Sequence, residues 1–163
     1  MRPATIAVLS ASPAISKARR AKWSFPRANA RSASRRQTSR SWLPIRPSKK
    51  VSPVSSTLTL SLDRLLALMD RLPAAQTVFQ ATGGTHAVAL ASPDGQVFMS
   101  AEDVGRHNAM DKVIGRALFE KRNFAGLLAL LSGRISFEMA LKAVRAGIPI
   151  LAAVSAPTSM ALE

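Results

Sequence analysis

The stretch LLALLSGRISFEMALKAVRAGIPILAAVSAP (residues 127–157) sets two apolar runs on either side of an amphipathic pattern. Both runs are apolar at consecutive positions, which is typical of strands covered on both faces. Between them, apolar residues recur at helical spacing, and Gly147 followed by Pro149 marks the end of a helix. The predicted apolar stripe of that helix comprises Phe137, Leu141, Val144 and Ile148. Strand, helix and strand in this order predict an α/β fold.

Two amphipathic helices are predicted upstream of this unit. The segment 102–118 has an apolar helical face made of Met110, Val113, Ile114, Ala117 and Leu118. The segment 60–73 has leucines at helical spacing, with Ser61 suited to cap its start and Pro73 suited to end it.

A β-hairpin is predicted between these two helices. Residues 85–103 contain two short apolar runs around the sequence Ser92-Pro93-Asp94-Gly95, which favours a tight turn. A last helix begins in the segment 158–163. The order helix, hairpin, helix, strand, helix, strand predicts a mixed sheet with packed helices.

Charge divides the chain into two parts. Residues 1–50 hold 13 of the 23 Lys and Arg and none of the 9 acidic residues, so nearly all of the net charge of +14 lies there. This segment is rich in Ser, Arg and Pro and shows no sustained period of a helix or strand. We predict a basic, disordered arm at 1–50 and a partial α/β domain at 51–163.

Three origins of the basic arm stay open. An acid-free basic tail suits contact with nucleic acid or anionic lipid. The same composition is typical of an organelle transit peptide. The arm could also be a mistranslated segment, read in the wrong frame or from a wrong start and joined to a genuine domain. Because the sequence has no secretory signal and no apolar run of about 20 residues, we expect a soluble, cytoplasmic protein.

Three strand-to-helix junctions recur along the predicted domain, at 102–108, 132–136 and 155–159. Each follows the carboxyl end of a strand and offers free backbone N–H groups at a helix start, which attract phosphates and other anions. Arg106 and Arg134 add guanidinium groups suited to phosphate or carboxylate. We expect the junctions to line one cleft, with the glycine-containing segment 81–87 beside it.

Simpler interpretations stay open for the same residues. Asp103 or Asn108 is suited to cap the following helix, and His107 and Asp111 are spaced to form a local pair. Metal binding is poorly supported, because the sequence has two histidines, no cysteine and no tight ligand spacing. No G-x-S-x-G motif marks a nucleophilic serine. The residues by themselves therefore predict an α/β domain with an anion-binding cleft.

The segments ATGGTHAVAL, EDVGRHNAMDKVIG and LLSGRISFEMALKAVRAGIPILAAVSAPTSMALE resemble the formate dehydrogenase accessory sulfurtransferase family, FdhD. The resemblance runs from about residue 58 to residue 163. It implies a cytidine-deaminase-like α/β fold and a role in molybdenum cofactor biosynthesis. In that role, sulfur passes from a cysteine desulfurase to the bis-molybdopterin guanine dinucleotide cofactor of formate dehydrogenase, which would make that cofactor the client ligand.

On this resemblance, the junction residues form a cradle for the nucleotide cofactor. Gly105 lets the backbone approach, Arg106 and Lys112 supply charge, and His107 with Asn108 supplies hydrogen bonds. The full set of predicted binding residues is Thr82, Gly83, His86, Asp103, Gly105, Arg106, His107, Asn108, Lys112, Ser132, Gly133, Arg134, Ser155 and Thr158. No structural metal is expected.

The sequence departs from the family pattern in its sulfur chemistry. Family members carry sulfur as a persulfide on a Cys-x-x-Cys segment, whereas this sequence has no cysteine. Serine cannot replace a thiolate in that chemistry. We therefore assign no catalytic residue and expect this chain to be inactive in sulfur transfer. The alternative is a non-enzymatic module that binds a guanine nucleotide or the molybdenum cofactor.

The family's N-terminal portion and C-terminal continuation are expected to be missing as well. Without the leading strands, an uncovered sheet edge would allow a homodimer. Cysteine desulfurase and formate dehydrogenase are the partners that the resemblance implies, and nucleic acid is not expected as one.

Overall fold

The computed structural model describes residues 7–10 and 54–162. The strands are β1 (Ala7–Ser10), β2 (His86–Ala91), β3 (Val97–Asp103), β4 (Leu128–Leu131) and β5 (Ile150–Ala153), and the α-helices are α1 (Leu62–Met69), α2 (Thr77–Thr82), α3 (Arg106–Phe119) and α4 (Phe137–Ala146). Two 3-10 helices, Leu72–Ala75 and Ser159–Ala161, lie between α1 and α2 and after β5. The predicted α/β class is confirmed.

All five strands belong to one mixed sheet in the order β1-β5-β4-β2-β3. Strands β4 and β5 are parallel, and the other three pairings are antiparallel. Strands β3, β4 and β5 therefore run in the same direction, and their carboxyl ends lie together beside the amino end of β2. We call this side of the molecule the carboxyl end of the sheet. All three predicted junctions leave the sheet there.

Helices cover both faces of the sheet. On one face, α3 and α4 contribute Met110, Val113, Met139 and Ala143 to a buried cluster with Leu131. On the other face, α1 and the first 3-10 helix contribute Leu65, Leu68, Met69 and Leu72 to a second cluster with Leu130. Because neighbouring residues of β4 point to opposite faces, every position of that strand is buried. The apolar run of β4 is therefore continuous because the strand is covered on both faces, as predicted.

The hairpin and the start of α1 form as predicted. Gly95 N–H donates to Ser92 O at 3.1 Å and closes the turn between β2 and β3. Ser61 caps α1 with its side chain. The helix ends at Met69 rather than at Pro73. Pro73 lies in the separate 3-10 helix that follows.

Two predicted helix faces were wrong in part. Leu118 is 61% exposed, and Phe137 is 44% exposed. Helix α4 instead turns Met139 and Ala143 toward the sheet, and Ile148 is the one member of its predicted stripe that is fully buried. The sequence of α4 carries two apolar stripes, and the stripe containing alanine allows the helix to approach its neighbours more closely.

Strand β1 lies within the segment predicted to be a basic arm. It pairs antiparallel with β5, with Ala7 opposite Ala153, and so covers an edge that we expected to be open. The rest of the predicted arm lies outside the described residues. Within the described ranges, no helix is both long and apolar enough to cross a membrane.

Candidate functional site

Hydrogen bonds join three segments at the carboxyl end of the sheet. Ala87 N–H donates to Ser132 Oγ at 2.8 Å, and Ser132 N–H donates to Ala87 O at 3.0 Å. These bonds continue the pairing of β2 with β4 beyond the last residue of β4. Thr158 N–H donates to Ile135 O at 2.9 Å, which ties the segment after β5 to the segment after β4.

The side chains of His86 and Arg106 both pack close to Gly133, which has no side chain of its own. A Cβ atom at Gly133 would stand 3.1 Å from His86 Nδ1 and 3.6 Å from Arg106 Cδ. The shorter of these distances is tighter than nearly all real Cβ contacts, so a side chain here would force His86 to move. The start of β2, the β4–α4 junction and the start of α3 therefore meet around one glycine.

Arg106 has an unused hydrogen-bond donor at this point. Its Nε is buried and has no hydrogen-bond partner among the residues that the structure describes. A buried donor without an acceptor is unfavourable, and an anion would supply the acceptor with a charge-assisted bond. Arg134 is exposed and forms no ion pair with any described residue. Two guanidinium groups are thus available to an anion at this end of the sheet.

Glu138 is an acidic residue whose carboxyl group interacts electrostatically with Arg106. The hydrogen bond from its own backbone N–H is the largest cause that lowers the pKa of Glu138, and the charges of His107 and Arg106 contribute less. Across residues 54–162, no ion pair within 4 Å joins Glu138 to Arg106. The unused donor of Arg106 is therefore not taken by this carboxylate.

Asp103 holds the turn between β3 and α3. Its carboxylate accepts hydrogen bonds from Gly105 N–H at 2.9 Å and Asn108 Nδ2 at 3.1 Å, and it lies 2.6 Å from Lys112 Nζ. The hydrogen bond from Lys112, followed by those from Gly105 and Asn108, lowers the pKa of Asp103 to about 2. Asp103, Asn108 and Lys112 are thus engaged with one another, and this network positions the start of α3.

His107 and Asp111 take part in a contact between helices. Lys142 Nζ lies 2.5 Å from Asp111 Oδ2 and donates a hydrogen bond to His107 O at 3.2 Å. Asp111 therefore pairs with α4 instead of forming the local pair with His107. These bonds fasten the first two turns of α3 to α4.

A cleft of about 380 Å³ lies beside His86. Its lining includes Gln76, Phe79, Gly83, His86, Ser132 and Val154. The short helix α2, which was not predicted from the sequence, carries Phe79 and is followed by Gly83. Gln76, Phe79 and Val154 are absent from the predicted binding set. Phe79 was missed because the six residues of α2 are too few for a helical period to be recognised.

Glu102 fixes α2 at the mouth of the cleft. Its carboxylate accepts hydrogen bonds from Val78 N–H at 2.9 Å, Phe79 N–H at 2.8 Å and Thr85 Oγ1 at 2.7 Å. Partial burial opposes ionisation of Glu102, but the hydrogen bonds from Thr85, Val78 and Phe79 outweigh it and lower the pKa of the carboxyl group. The helix therefore depends on a residue of β3.

The remaining predicted residues are Thr82, Gly83, Ser155 and Thr158. Thr82 Oγ1 donates to Val78 O at 2.7 Å and accepts a hydrogen bond from Gly84 N–H, so its hydroxyl is used locally. Gly83 ends α2 with φ of +66°, which favours glycine. Ser155 is partly buried after β5, and Thr158 precedes the last 3-10 helix. Their binding roles stay predictions.

The described residues offer no obvious metal centre. Among them, no three His, Asp or Glu side chains cluster in a way that could hold a metal ion. The chemistry of this region is that of hydrogen-bond donors and two guanidinium groups at the end of a sheet.

Comparisons with known proteins identify the family. The chain is 50% identical over 120 residues to the sulfur carrier protein FdhD of Mycolicibacterium paratuberculosis, and the match covers 73% of this chain and 44% of that protein. It is 57% identical over 107 residues to the sulfur carrier protein FdhD of Nocardia farcinica, with 65% of this chain and 38% of that protein covered. The chain thus spans about two fifths of the length of these curated relatives.

A solved structure shares the fold. The crystal structure of a protein from Desulfotalea psychrophila, described as a formate dehydrogenase accessory protein, superposes with a TM-score of 0.62 at 28% identity. The match covers 70% of this chain and 48% of that one. The FdhD/NarQ family model matches residues 6–163, so the likeness extends upstream of residue 58, where the sequence resemblance was expected to begin. The chain belongs to the FdhD/NarQ family.

Proposed function

We propose that this chain provides the cofactor-binding part of an FdhD-type accessory function for formate dehydrogenase. The relatives are sulfur carrier proteins, and the structural neighbour is described as a formate dehydrogenase accessory protein. The client ligand would be the bis-molybdopterin guanine dinucleotide cofactor, which contains pyrophosphate groups. A cysteine desulfurase as sulfur donor, formate dehydrogenase as recipient and a homodimeric state belong to the same proposal.

The observation that carries the proposal is the Nε of Arg106 beside Gly133, which is buried and has no hydrogen-bond partner among the described residues. Guanidinium groups bind phosphate strongly and in a defined geometry. The carboxyl end of an α/β sheet is also the usual place for such ligands. Arg106 would hold a phosphate group, His86 would lie beside it, and Arg134 would add charge at the surface.

The sulfur-transfer step has no residue to carry it in this sequence. A persulfide forms on a thiolate, and none of the 163 residues is a cysteine. This favours a second candidate function, in which the chain binds a guanine nucleotide or the molybdenum cofactor without transferring sulfur. Both candidates use the same site at Arg106, and they differ in whether a cysteine desulfurase and formate dehydrogenase are partners of the chain.

Calorimetric titration with pyrophosphate and GDP tests the binding proposal. We expect Arg106→Gln to weaken the binding of both ligands by tenfold or more, because a charge-assisted bond to a buried group is lost. Arg116→Gln is the matched control, since Arg116 lies in the last turn of the same helix and pairs with Glu120. The proposed site would be refuted if Arg106→Gln bound pyrophosphate and GDP with the same affinities as the wild type.

Incubation with a cysteine desulfurase and labelled cysteine tests the sulfur chemistry. We expect no label on the purified chain, and a control protein with an exposed thiol should take up label in the same mixture. Covalent label on this chain would contradict the conclusion that it cannot carry sulfur.

A further inference from the structure

A second cleft, which we call the hairpin cleft, lies between α1 and the turn that joins β2 to β3. Its volume is about 450 Å³. Two arginines, two aspartates and four uncharged residues line it: Ser61, Asp63, Arg64, Ala67, Leu68, Arg71, Asp94 and Gly95. The turn follows the carboxyl end of β2, so it lies at the end of the sheet opposite to Arg106. The hairpin cleft is therefore separate from the candidate functional site.

Two guanidinium groups converge on this turn. Arg64 Nη2 donates to Asp94 O at 2.7 Å, and Arg71 Nη1 donates to Gly95 O at 2.7 Å. The two arginines are seven positions apart, which is about two turns of a helix. The carbonyl groups that they contact nevertheless belong to consecutive residues. The two side chains therefore bring two positive charges to one short segment of the chain.

Both guanidinium groups keep donors for a ligand. A guanidinium carries five N–H donors in a planar fork, and each of these arginines bonds one backbone carbonyl. Among residues 54–162, neither Arg64 nor Arg71 forms an ion pair within 4 Å. Ala67 lies between them on the same side of the helix and lines the cleft. The hairpin cleft thus offers two guanidinium groups of the kind that bind carboxylates in a defined geometry.

The two aspartates of the lining do not pair with these arginines. Asp94 accepts a hydrogen bond from Ser92 Oγ. This bond is the largest cause that lowers the pKa of Asp94, and the charge of Arg64 contributes less. Asp63 lies in the first turn of α1, where a helix stabilises negative charge. The positive charges are therefore left for a ligand, while the aspartates disfavour a ligand with a dense row of negative charges.

The form of the hairpin cleft favours a peptide over a small molecule or a nucleic acid. Small-molecule sites bury most of their ligand, whereas this lining is mostly exposed, at Ser61, Asp63, Arg64, Ala67, Arg71 and Asp94. A segment of another protein can cover such a surface from outside. The described lining includes no aromatic side chain on which a base could stack, and the aspartates would repel a continuous row of phosphates.

We propose that the hairpin cleft is a docking site for an acidic peptide segment of a partner protein, whose carboxylates bind Arg64 and Arg71. One carboxylate would lie at each guanidinium group, and the peptide between them would pass over Ala67. Binding here would be independent of the ligand at Arg106, because the two sites lie at opposite ends of the sheet. A partner could therefore dock while the candidate functional site stays open.

Binding of a hexaglutamate peptide to the full chain tests this docking site. Residues 1–50 hold 13 basic residues and no acidic residue, so they attract polyanions in general. The test must therefore locate the bound peptide, for which NMR shifts of the backbone amides of an isotope-labelled chain are suitable. We expect hexaglutamate to shift amides within residues 61–71 and 92–96. Citrate and a thymidine hexanucleotide, titrated in the same way, represent the other two classes of ligand.

The combined variant Arg64→Gln and Arg71→Gln removes both guanidinium groups. It should weaken hexaglutamate binding at the hairpin cleft by tenfold or more and abolish the shifts there, because the charge-assisted hydrogen bonds are lost. Arg116→Gln with Arg122→Gln is the matched control. It removes the same charge elsewhere, where both arginines pair with Glu120, and it should leave the affinity within about twofold.

Asp63→Asn separates a binding role of the cleft from a structural one. Removal of a negative charge from the lining should tighten hexaglutamate binding about two- to threefold. Loss of a residue that only supports the fold would not tighten binding. Asp70→Asn makes the same change of charge at the end of α1, outside the lining, and it should leave the affinity unchanged.

Four results would overturn the proposal. The first is that hexaglutamate shifts no amide within residues 61–71 or 92–96. The second is a folded Arg64→Gln and Arg71→Gln variant that binds hexaglutamate as well as the control does. The third is equal affinity for citrate, which would indicate a small-molecule site, and the fourth is tighter binding of the hexanucleotide, which would indicate nucleic acid. The shifts in the wild type decide the matter even if the combined variant does not fold.

Discussion

Lys112 Nζ lies 2.6 Å from Asp103 Oδ2, and this ion pair links the last residue of β3 to the second turn of α3. The same carboxylate accepts the Gly105 N–H and the Asn108 side chain. The network fixes the direction in which α3 leaves the sheet, and Arg106 is the first residue of that helix. Three of the polar residues that the sequence singled out, Asp103, Asn108 and Lys112, therefore serve to position a fourth, Arg106.

Asp103→Asn should change the pH dependence of stability. The pKa of Asp103 is lowered from 3.8 to about 2 in the folded state, so its ionised form stabilises the fold above pH 4 and this contribution is lost as pH falls toward 2. The wild type should exceed Asp103→Asn in urea unfolding midpoint at pH 5–7, and the difference should shrink between pH 4 and 2. Lys112→Met removes the largest cause of the shift and should behave similarly. A difference that persists undiminished at pH 2 would contradict this role.

Gly133→Ala should disturb the site and not only the fold. The added methyl group would crowd His86 Nδ1 at 3.1 Å, which should cost about 1–3 kcal/mol of stability and weaken pyrophosphate binding roughly tenfold. Gly115→Ala is the control, because a Cβ there meets nothing within 4 Å and alanine should stabilise the interior of α3 by about 0.5–1 kcal/mol. Thermal unfolding and calorimetry measure both effects. Unchanged pyrophosphate affinity in Gly133→Ala would show that the close approach is unimportant.

Glu102→Ala should loosen α2. The change removes the acceptor of Val78 N–H and Phe79 N–H, and loss of a helix cap costs about 1–2 kcal/mol. Because α2 carries Phe79, GDP binding should weaken as well. Glu120→Ala removes an exposed carboxylate that pairs with Arg116 and Arg122, and it should cost less than about 1 kcal/mol. Hydrogen exchange at the amides of residues 77–82 should rise in Glu102→Ala alone, and equal exchange in both variants would rule out the capping role.

Two leucines distinguish the true core from the predicted one. Leu130 is fully buried between β4 and the α1 layer, so Leu130→Ala should cost about 2–5 kcal/mol. Leu118 was expected on the buried face of α3 but is 61% exposed, so Leu118→Ala should change stability by less than about 0.5 kcal/mol. Urea unfolding of the two variants compares these values directly. A large loss of stability in Leu118→Ala would show that Leu118 belongs to the buried face of α3, as the sequence predicted.

The sequence predicted those parts of the fold that depend on local pattern. The apolar run of β4, the turn that Gly95 closes and the capping by Ser61 each follow from a few neighbouring residues. Helix α2 could not be predicted in this way, because its first turn is held by Glu102, which lies more than 20 residues away. The buried face of α4 also depends on packing, since both of its stripes are apolar.

The candidate site, too, could be predicted only in those parts that depend on local pattern and element order. The directions of β3, β4 and β5 place their junctions at one end of the sheet, and the order of elements was sufficient to predict this. Which polar side chains are used internally depends on distances that no pattern reveals. Asp103 and Lys112 satisfy each other, whereas Arg106 Nε is left without a partner among the described residues. Gln76 gave no sequence signal at all, because its burial in the cleft results from tertiary packing.

The pairing of β1 with β5 has a consequence for the order of events during synthesis. Ala7 is made long before its neighbour Ala153, because the two residues are 146 positions apart in the sequence. Strand β1 must therefore wait until β5 has been made before it can dock, and contacts between such distant positions slow folding. Completion of the sheet is for this reason a late step, and a nascent chain stalled before residue 150 would still lack it.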